Sequence, residues 1–192
     1  MKRSIINTLK ILLFIAGFVC AGWYFMPWGE AGKFIMSAAH SRLERMGMRV
    51  SYSDVSGETD GFTVHNLALN GVANVKFSSI TLRPRPAMTL LSLAPVCDIS
   101  FRGGSAQLGQ ILNFGDGGVT VTAGRSEVML EGLRTNGEFG INGWMTINPQ
   151  NMRIGRADAR LNVPASFAQN MSLLQSFLPL TRVGDRWYLR RN

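Results

Sequence analysis

The stretch Met48-Arg49-Val50-Ser51-Tyr52-Ser53 decides the fold, because from this point onward apolar and polar residues alternate along the chain. A period of two is typical of a β-strand that buries one face and exposes the other. The alternation returns toward the C-terminus around Phe62, Leu67, Val75, Ile80, Cys97, Val119, Val128, Ile141 and Ala157. We therefore predict a mainly β domain of roughly eight to ten short strands, in a meandering antiparallel sheet that is curved or folded over on itself like a jelly roll.

Glycine-rich points separate the predicted strands. Asn-Gly pairs stand at 70–71, 136–137 and 142–143, and Gly115-Asp116-Gly117-Gly118 forms a fourth such point. Because these residues permit a positive φ, each of the four predicts a tight hairpin turn. Gly103-Gly104 matches no phosphate-binding pattern and is also interpreted as a turn.

Three helices are expected beside the strands. Residues 30–46 have a helical period and end at Gly47, with one face formed by Ala31, Phe34, Ile35, Ala38, Leu43 and Met46. Because its polar face is not strongly basic, packing on the sheet is favoured over a position on the membrane surface. Shorter helices are predicted at 88–93 and at 166–178. A gently coiled sheet would leave an apolar trough, which either a lipid or helix 166–178 could fill.

The N-terminus has the composition of a membrane anchor. Lys2 and Arg3 come first, and no charged residue occurs from Ile11 to Gly29. Such a run approaches the roughly 20 residues that cross a bilayer, and the aromatic residues at 23–28 resemble an interfacial belt. A cleaved signal peptide is the alternative, although its cleavage site would be poor. We expect residues 1–28 to form a single-pass inner-membrane anchor with a cytoplasmic N-terminus, and residues 29–192 to form one periplasmic domain.

Charge and cysteines exclude some partners and linkages. The formal net charge is +8, but the arginines are mostly spread singly and no nucleic-acid-binding motif occurs, so nucleic-acid binding is disfavoured. Weak attraction to anionic lipid head groups and a merely solvated surface both remain open. Cys20 in the apolar run and Cys97 in a predicted strand cannot meet, so we expect no disulfide and interpret Cys97 as a small buried residue.

No residues form a recognisable catalytic arrangement. Neither His40 nor His65 has a Ser, Cys or carboxylate at a diagnostic spacing. Asp54, Glu58 and Asp60 lack the order of a calcium-binding loop and are interpreted as an acidic hairpin loop. Arg83-Pro84-Arg85-Pro86 is interpreted as a stiffened sheet edge, with a lipid head-group contact as the alternative. We therefore expect no enzymatic activity, no cofactor, and no catalytic, cofactor-binding or metal-binding residues.

The order of several short motifs resembles a known family. They are Met26-Pro27-Trp28, Gly47-Met48-Arg49-Val50-Ser51-Tyr52, Gly61-Phe62-Thr63-Val64-His65-Asn66-Leu67, Ile80-Thr81-Leu82-Arg83-Pro84, Gly103-Gly104-Ser105, Phe177-Leu178-Pro179-Leu180 and Trp187-Tyr188-Leu189-Arg190-Arg191. This sequence resembles the short form of type II secretion system protein N (GspN). The resemblance implies a single-pass inner-membrane protein with a periplasmic β domain, accessory to secretion and related to AsmA-like β-taco proteins. It defines no functional residues.

Two functions are consistent with these features. The first is an accessory, membrane-anchored interaction module of a type II secretion apparatus, with other envelope or secretion proteins as partners. The alternative is a module that binds or transfers lipid or lipopolysaccharide in a groove, of the AsmA-like or LptC-like kind.

The C-terminus is predicted to be an ordered part of the sheet. A turn at Gly184-Asp185 precedes Trp187-Tyr188-Leu189, so Leu180 to Leu189 is expected to form a paired edge hairpin. Trp187 is expected to pack against the helix that ends at residues 177–178, because so large a side chain is worth ordering only when buried. Arg190 and Arg191 are expected to stay in solvent.

Overall fold

The structure, a computed structural model, describes residues 14, 17, 21–45, 47–71, 74–108, 110–151, 153–171, 175, 179–184 and 186–191. The described helices are α1 (Trp28–Arg45), α2 (Pro86–Ser92) and a 3-10 helix (Ala165–Asn170). The strands are β1 (Arg49–Ser51), β2 (Asp54–Gly57), β3 (Phe62–Asn70), β4 (Asn74–Pro84), β5 (Val96–Leu108), β6 (Gln110–Ala123), β7 (Val128–Thr135), β8 (Gly140–Ile147), β9 (Ile154–Asn162), β10 (Leu180–Val183) and β11 (Arg186–Arg191).

The described strands form one open antiparallel sheet. Its order is β1-β3-β4-β5-β6-β7-β8-β9-β11-β10, and β2 pairs with β3 beyond the end of β1. The prediction of a mainly β antiparallel meander is therefore confirmed. The jelly-roll-like arrangement is wrong, because a jelly roll has two packed sheets, whereas the described strands form a single sheet in which consecutive strands are almost all neighbours.

One face of this sheet is apolar and the other is polar. Residues directly opposite in an antiparallel pair point to the same face. Leu82, Ile99 and Val119 are opposite one another across β4, β5 and β6. The neighbouring row, Thr81, Ser100, Gly118, Arg134 and Asn142, lies on the other face. The alternation in the sequence thus becomes a two-sided sheet, with the hydrophobic cores on the apolar side.

Helix α1 covers one side of the apolar face, at β1, β2 and β3. The core there consists of Trp28, Met36, Val50, Val55, Phe62, Val64 and Leu67. A helix over 30–46 was predicted and is confirmed, but its buried face was predicted only in part. Ala31 and Leu43 pack against this core, whereas Phe34, Ile35 and Ala38 are exposed and Met46 lies outside the described residues.

Gly32 determines which face of α1 packs on the sheet. A Cβ placed on Gly32 would come within 2.7 Å of the Phe62 ring and 2.8 Å of Val55. Glycine therefore lets the helix approach more closely than any other residue could, and Trp28, Gly32 and Met36, four residues apart, form the buried stripe. The bulky Phe34 and Ile35 are consequently turned outward.

A second core covers the opposite side of the same face. It contains Leu112, Phe139, Met145, Ala157, Ala159, Leu161, Phe167, Met171, Leu180, Trp187 and Leu189. Phe167 and Met171 come from the segment predicted as helix 166–178. Its described part is the 3-10 helix followed by Met171, while residues 172–174 and 176–178 lie outside the described residues.

The C-terminal hairpin is confirmed. Leu180 is opposite Leu189 in the β10–β11 pair, and β11 also pairs with β9, so β10 is the edge strand. Trp187 is buried in the same core as Phe167; its predicted contact with residues 177–178 lies outside the described residues. Arg190 and Arg191 are exposed, as predicted.

Glycine-rich segments were predicted as turns with mixed success. The turns at 70–71 and 136–137 follow β3 and β7 as expected. Gly103-Gly104, Gly115 to Gly118 and Asn142-Gly143, by contrast, lie inside β5, β6 and β8. Gly104 is opposite Gly115, and the register shifts at this point. Positive φ values at Gly103 and Gly115 allow a bulge there, which the same residues permit as readily as a turn.

The predicted membrane anchor falls mainly on residues that the structure does not describe. Residues 1–13, 15, 16 and 18–20 are outside the described part of the chain. Within the described part, no helix combines the length and the apolar character needed to span a bilayer.

Candidate interaction surfaces

A strip of apolar side chains lies between the two cores. We define the central apolar strip as Ile99 and Phe101 on β5 together with Val119 and Val121 on β6. All four are half-buried. Phe101 and Ile99 are opposite Ile80 and Leu82, which pack on the α1 core, and Val121 is opposite Leu130, which packs on the second core. The apolar face therefore continues across the middle of the sheet.

Two aromatic rings at this strip, those of Phe77 and Phe101, pack closely against glycine residues. Phe101 packs edge-to-face on Phe77, with ring centroids 5.3 Å apart. A Cβ on Gly117 would lie 2.4 Å from Phe101 Cζ, and one on Gly104 would lie 3.1 Å from Phe77 Cε1. A side chain at position 117 would therefore clash with the Phe101 ring, and one at position 104 would force the Phe77 ring to shift. This arrangement was not predicted from the sequence, where its only signal was the presence of two Gly-rich segments and two phenylalanines.

The cover on the apolar face is uneven. Helix α1 contacts β1, β2 and β3, and the segment around Phe167 belongs to the core of the later strands. Cavities of about 430 and 540 Å³ are lined largely by polar-face residues such as Thr81, Ser100 and Arg134. The arrangement provides a broad apolar surface in the middle of the sheet and polar hollows on its other side.

The acidic residues between β2 and β4 are used for ion pairs. Glu58 accepts a hydrogen bond from Arg83 Nη2 at 2.8 Å, and Arg83 Nε lies 3.3 Å from Asp60 Oδ1. The Thr63 hydroxyl also donates to Glu58 and lies 2.7 Å from the Thr81 hydroxyl. The Thr63 hydrogen bond, followed by the Arg83 guanidinium, lowers the pKa of Glu58 below its ordinary 4.5. This cluster ties the loop after β2 to β4.

The remaining candidate residues are dispersed. His40 Nε2 lies 3.1 Å from Glu44 Oε1 in the second half of α1, and His65 Nε2 lies 3.0 Å from the Ser56 hydroxyl. Asp54 is opposite His65 in the β2–β3 pair. Among the described residues, no three His, Cys, Asp or Glu side chains are grouped as a metal site would require.

Cys97 is half-buried on the apolar side of β5. It lies opposite Pro84 on β4 and Val121 on β6. Burial raises the pKa of its thiol, so the neutral form predominates and the thiolate is scarce. The interpretation of Cys97 as a packing residue is consistent with this environment.

Helix α2 exposes its apolar residues. It connects β4 to β5, and none of its seven residues is buried. Leu90, Leu91 and the following Leu93 are strongly exposed, and Met88 is partly so. The Arg83-Pro84-Arg85-Pro86 segment precedes it, with Arg83 paired to Glu58 and Arg85 to Asp98. The predicted helix at 88–93 is confirmed, but its exposure was missed because an apolar run by itself predicts burial.

A comparison with known proteins finds a matching family model. The family model described as "Type II secretion system protein GspN-like, Synergistales" matches residues 6–191. No curated protein matches the chain, and no solved structure does. The expected relation to the AsmA-like group is not supported by these findings.

Proposed function

The chain belongs to the type II secretion system protein GspN-like family, and we propose that it is a non-enzymatic accessory subunit of a type II secretion apparatus. In this proposal residues 1–28 cross the inner membrane and residues 29–192 act in the periplasm. The family match supports the secretion role. The uncharged run from Ile11 to Gly29, preceded by Lys2 and Arg3, supports an anchor with its N-terminus in the cytoplasm.

The exposed side of α1 is the surface on which this proposal mainly rests. Phe34 is 77% exposed, although it stands in a helix whose opposite stripe is packed on the sheet. Ser37, Ala38 and Ser41 are exposed three, four and seven residues further on, and therefore lie on the same face. One large apolar side chain beside small residues suits close packing of a partner helix.

Position also favours α1 as the docking element. It begins at Trp28, whose ring centroid lies 4.6 Å from that of Trp23 in the N-terminal segment. A partner helix that leaves the membrane beside the proposed anchor would run alongside α1. We therefore expect the partner to be another inner-membrane secretion component with a helix just outside the bilayer.

Site-specific cross-linking in the native bacterium tests this function. A photo-reactive amino acid at Phe34 should capture inner-membrane secretion components, whereas the same group at Val183, an exposed residue of edge strand β10, should not. Phe34→Asp should reduce export of type II substrates at unchanged protein level, and Val183→Asp should leave export intact. Normal export with Phe34→Asp, together with no captured component, would contradict the proposal.

A lipid-binding role is a second candidate, and the central apolar strip favours it. The half-buried apolar side chains of this strip, between two cores, offer an apolar surface on which an acyl chain could lie. Mass spectrometry of the purified full chain should then detect bound lipid, and Phe101→Glu should abolish it while Thr120→Glu, on the polar face, should not. Lipid-free wild-type protein would exclude this role.

A further inference from the structure

The fold does not explain why α2 and the residue after it expose their apolar side chains. We define the α2 tip as Met88, Leu90, Leu91 and Leu93, whose exposed fractions are 46%, 70%, 81% and 93%. A seven-residue helix is not stable by itself. In proteins, most of the stability of such a helix comes from burial of its apolar side chains. Here Leu90, Leu91 and Leu93 remain mostly in solvent, and only Met88 is about half covered by the described structure.

Leu93 strengthens this observation. It ends α2 in the left-handed conformation, with φ 53° and ψ 26°. Glycine is the usual residue at such a position because it has no Cβ to clash, and Leu is unfavourable there. The chain thus has a strained backbone at a residue whose large side chain is nearly all in solvent. Both features cost stability in the isolated fold, which points to a contact outside it.

The α2 tip lies at the same end of the strands as the N-terminal segment. Helix α2 joins the end of β4 to the start of β5, and Phe62 at the start of β3 pairs with Leu82 near that end. Gly29 at the start of α1 approaches Gly57, and the adjacent Glu58 pairs with Arg83. The exposed Tyr24 and Phe25 precede α1 at this end.

Charge at this end suits a lipid surface better than a protein groove. Residues 86–95 contain no charged residue, so the tip can leave water without burying a charge. Arg83 and Arg85 lie at its base, where Arg83 pairs with Glu58 and Asp60 and Arg85 pairs with Asp98. Arg125, in the neighbouring loop at the same end, is exposed and makes no ion pair with another described residue. An uncharged apolar tip with an exposed arginine, Arg125, near it is the pattern of an interfacial membrane contact.

We propose that the α2 tip is a second membrane contact, which inserts into the boundary between head groups and acyl chains beside the N-terminal anchor. Two points of attachment fix the orientation of the sheet relative to the bilayer, where a single helix would leave it free to rotate. The proposal rests on the membrane location proposed above, and its test includes a separate probe of the anchor.

The test measures where single positions lie in a bilayer. The full chain, with Cys20 and Cys97 replaced by Ala, carries one cysteine from Leu91→Cys, Tyr24→Cys or Ile111→Cys and a polarity-sensitive fluorophore. It is reconstituted into vesicles of phosphatidylethanolamine and phosphatidylglycerol. Ile111 is the matched control, because it is an exposed apolar residue near the start of β6, at the opposite end of the sheet.

The Leu91 probe should show a blue-shifted emission, quenching by brominated acyl chains and loss of quenching by iodide. The Ile111 probe should remain open to iodide. A water-exposed Leu91 probe overturns the proposal, and the Tyr24 probe then tells whether the anchor has failed too. Protection of the Leu91 probe only after secretion proteins are added also overturns it, because the tip would then bind protein.

Discussion

Replacing Gly32 by alanine sets helix propensity against packing. Alanine is favoured over glycine in a helix interior by about 1 kcal/mol, so propensity alone predicts a more stable protein. The structure predicts the opposite, because the added methyl group would lie 2.7 Å from two atoms of the Phe62 ring. Carbon atoms in good contact are about 3.5–4.0 Å apart, so the helix or the ring must move by about 1 Å.

The free-energy cost of this substitution depends on how far the side chains around Gly32 can move. Phe62 is 1% exposed and Val55 is 5% exposed, so neither can turn into solvent. Overpacking a core in this way costs about 1–3 kcal/mol, which outweighs or cancels the gain in propensity. We expect a net loss of up to about 2 kcal/mol of unfolding free energy when both terms are combined.

Urea unfolding of the full chain in detergent micelles measures this change. Trp28, buried at the start of α1, gives a fluorescence signal from the affected core. Ala38→Gly is the control, because Ala38 is exposed on the same helix and the glycine should cost about 1 kcal/mol there by propensity alone. If Gly32→Ala stabilised the protein by that amount, α1 would not pack on β3 as closely as described.

Five further changes test other parts of the structure. Trp187→Ala should cost about 3–5 kcal/mol, and deletion of 184–192 at least as much, measured by urea unfolding; an unchanged midpoint would mean that the C-terminal hairpin is not part of the core. Because the pKa of Glu58 is lowered in the folded state, its stabilising effect is complete above about pH 4.5 and is lost as the pH falls through the lowered value. The difference in melting temperature between wild type and Glu58→Gln should therefore shrink on acidification, and a constant difference would refute this ion-pair role. Leu93→Gly should stabilise the protein by about 0.5–1 kcal/mol by relieving the left-handed backbone, and a loss in melting temperature would contradict that assignment. Gly117→Ala should destabilise by about 1–3 kcal/mol, since its Cβ meets Phe101 and the Arg134 carbonyl; wild-type stability would show that this approach is loose.

Strand positions and face could be predicted because a period of two is a local property. Val50, Val64 and Leu161 alternate with polar neighbours in the chain and are buried in the structure. The same holds for the hairpin before Trp187, where the turn residues and the aromatic side chain stand together in the sequence. Exclusion of a catalytic arrangement stays a prediction, because it was made from spacing alone.

Whether a glycine lies in a turn or within a strand could not be predicted from its neighbours in the sequence. Gly71 and Gly137 follow strands, whereas Gly104 and Gly117 lie within them. A turn and a bulge require the same backbone freedom, so the outcome depends on which strand lies opposite. Which strand lies opposite depends on packing against rings such as Phe101, which are distant in the sequence.

The sequence by itself determined that this chain forms an antiparallel meander with one apolar face, since alternation and turn residues act over a few positions. Tertiary structure alone decided which side of α1 is buried and which apolar side chains remain in solvent. Gly32 turned Phe34 outward because only a residue without a side chain fits against Phe62. Likewise, the position of α2 beyond the ends of β4 and β5 exposed Leu91, since no described element covers it there. Burial is a property of neighbours distant in the chain, and no local pattern specifies them.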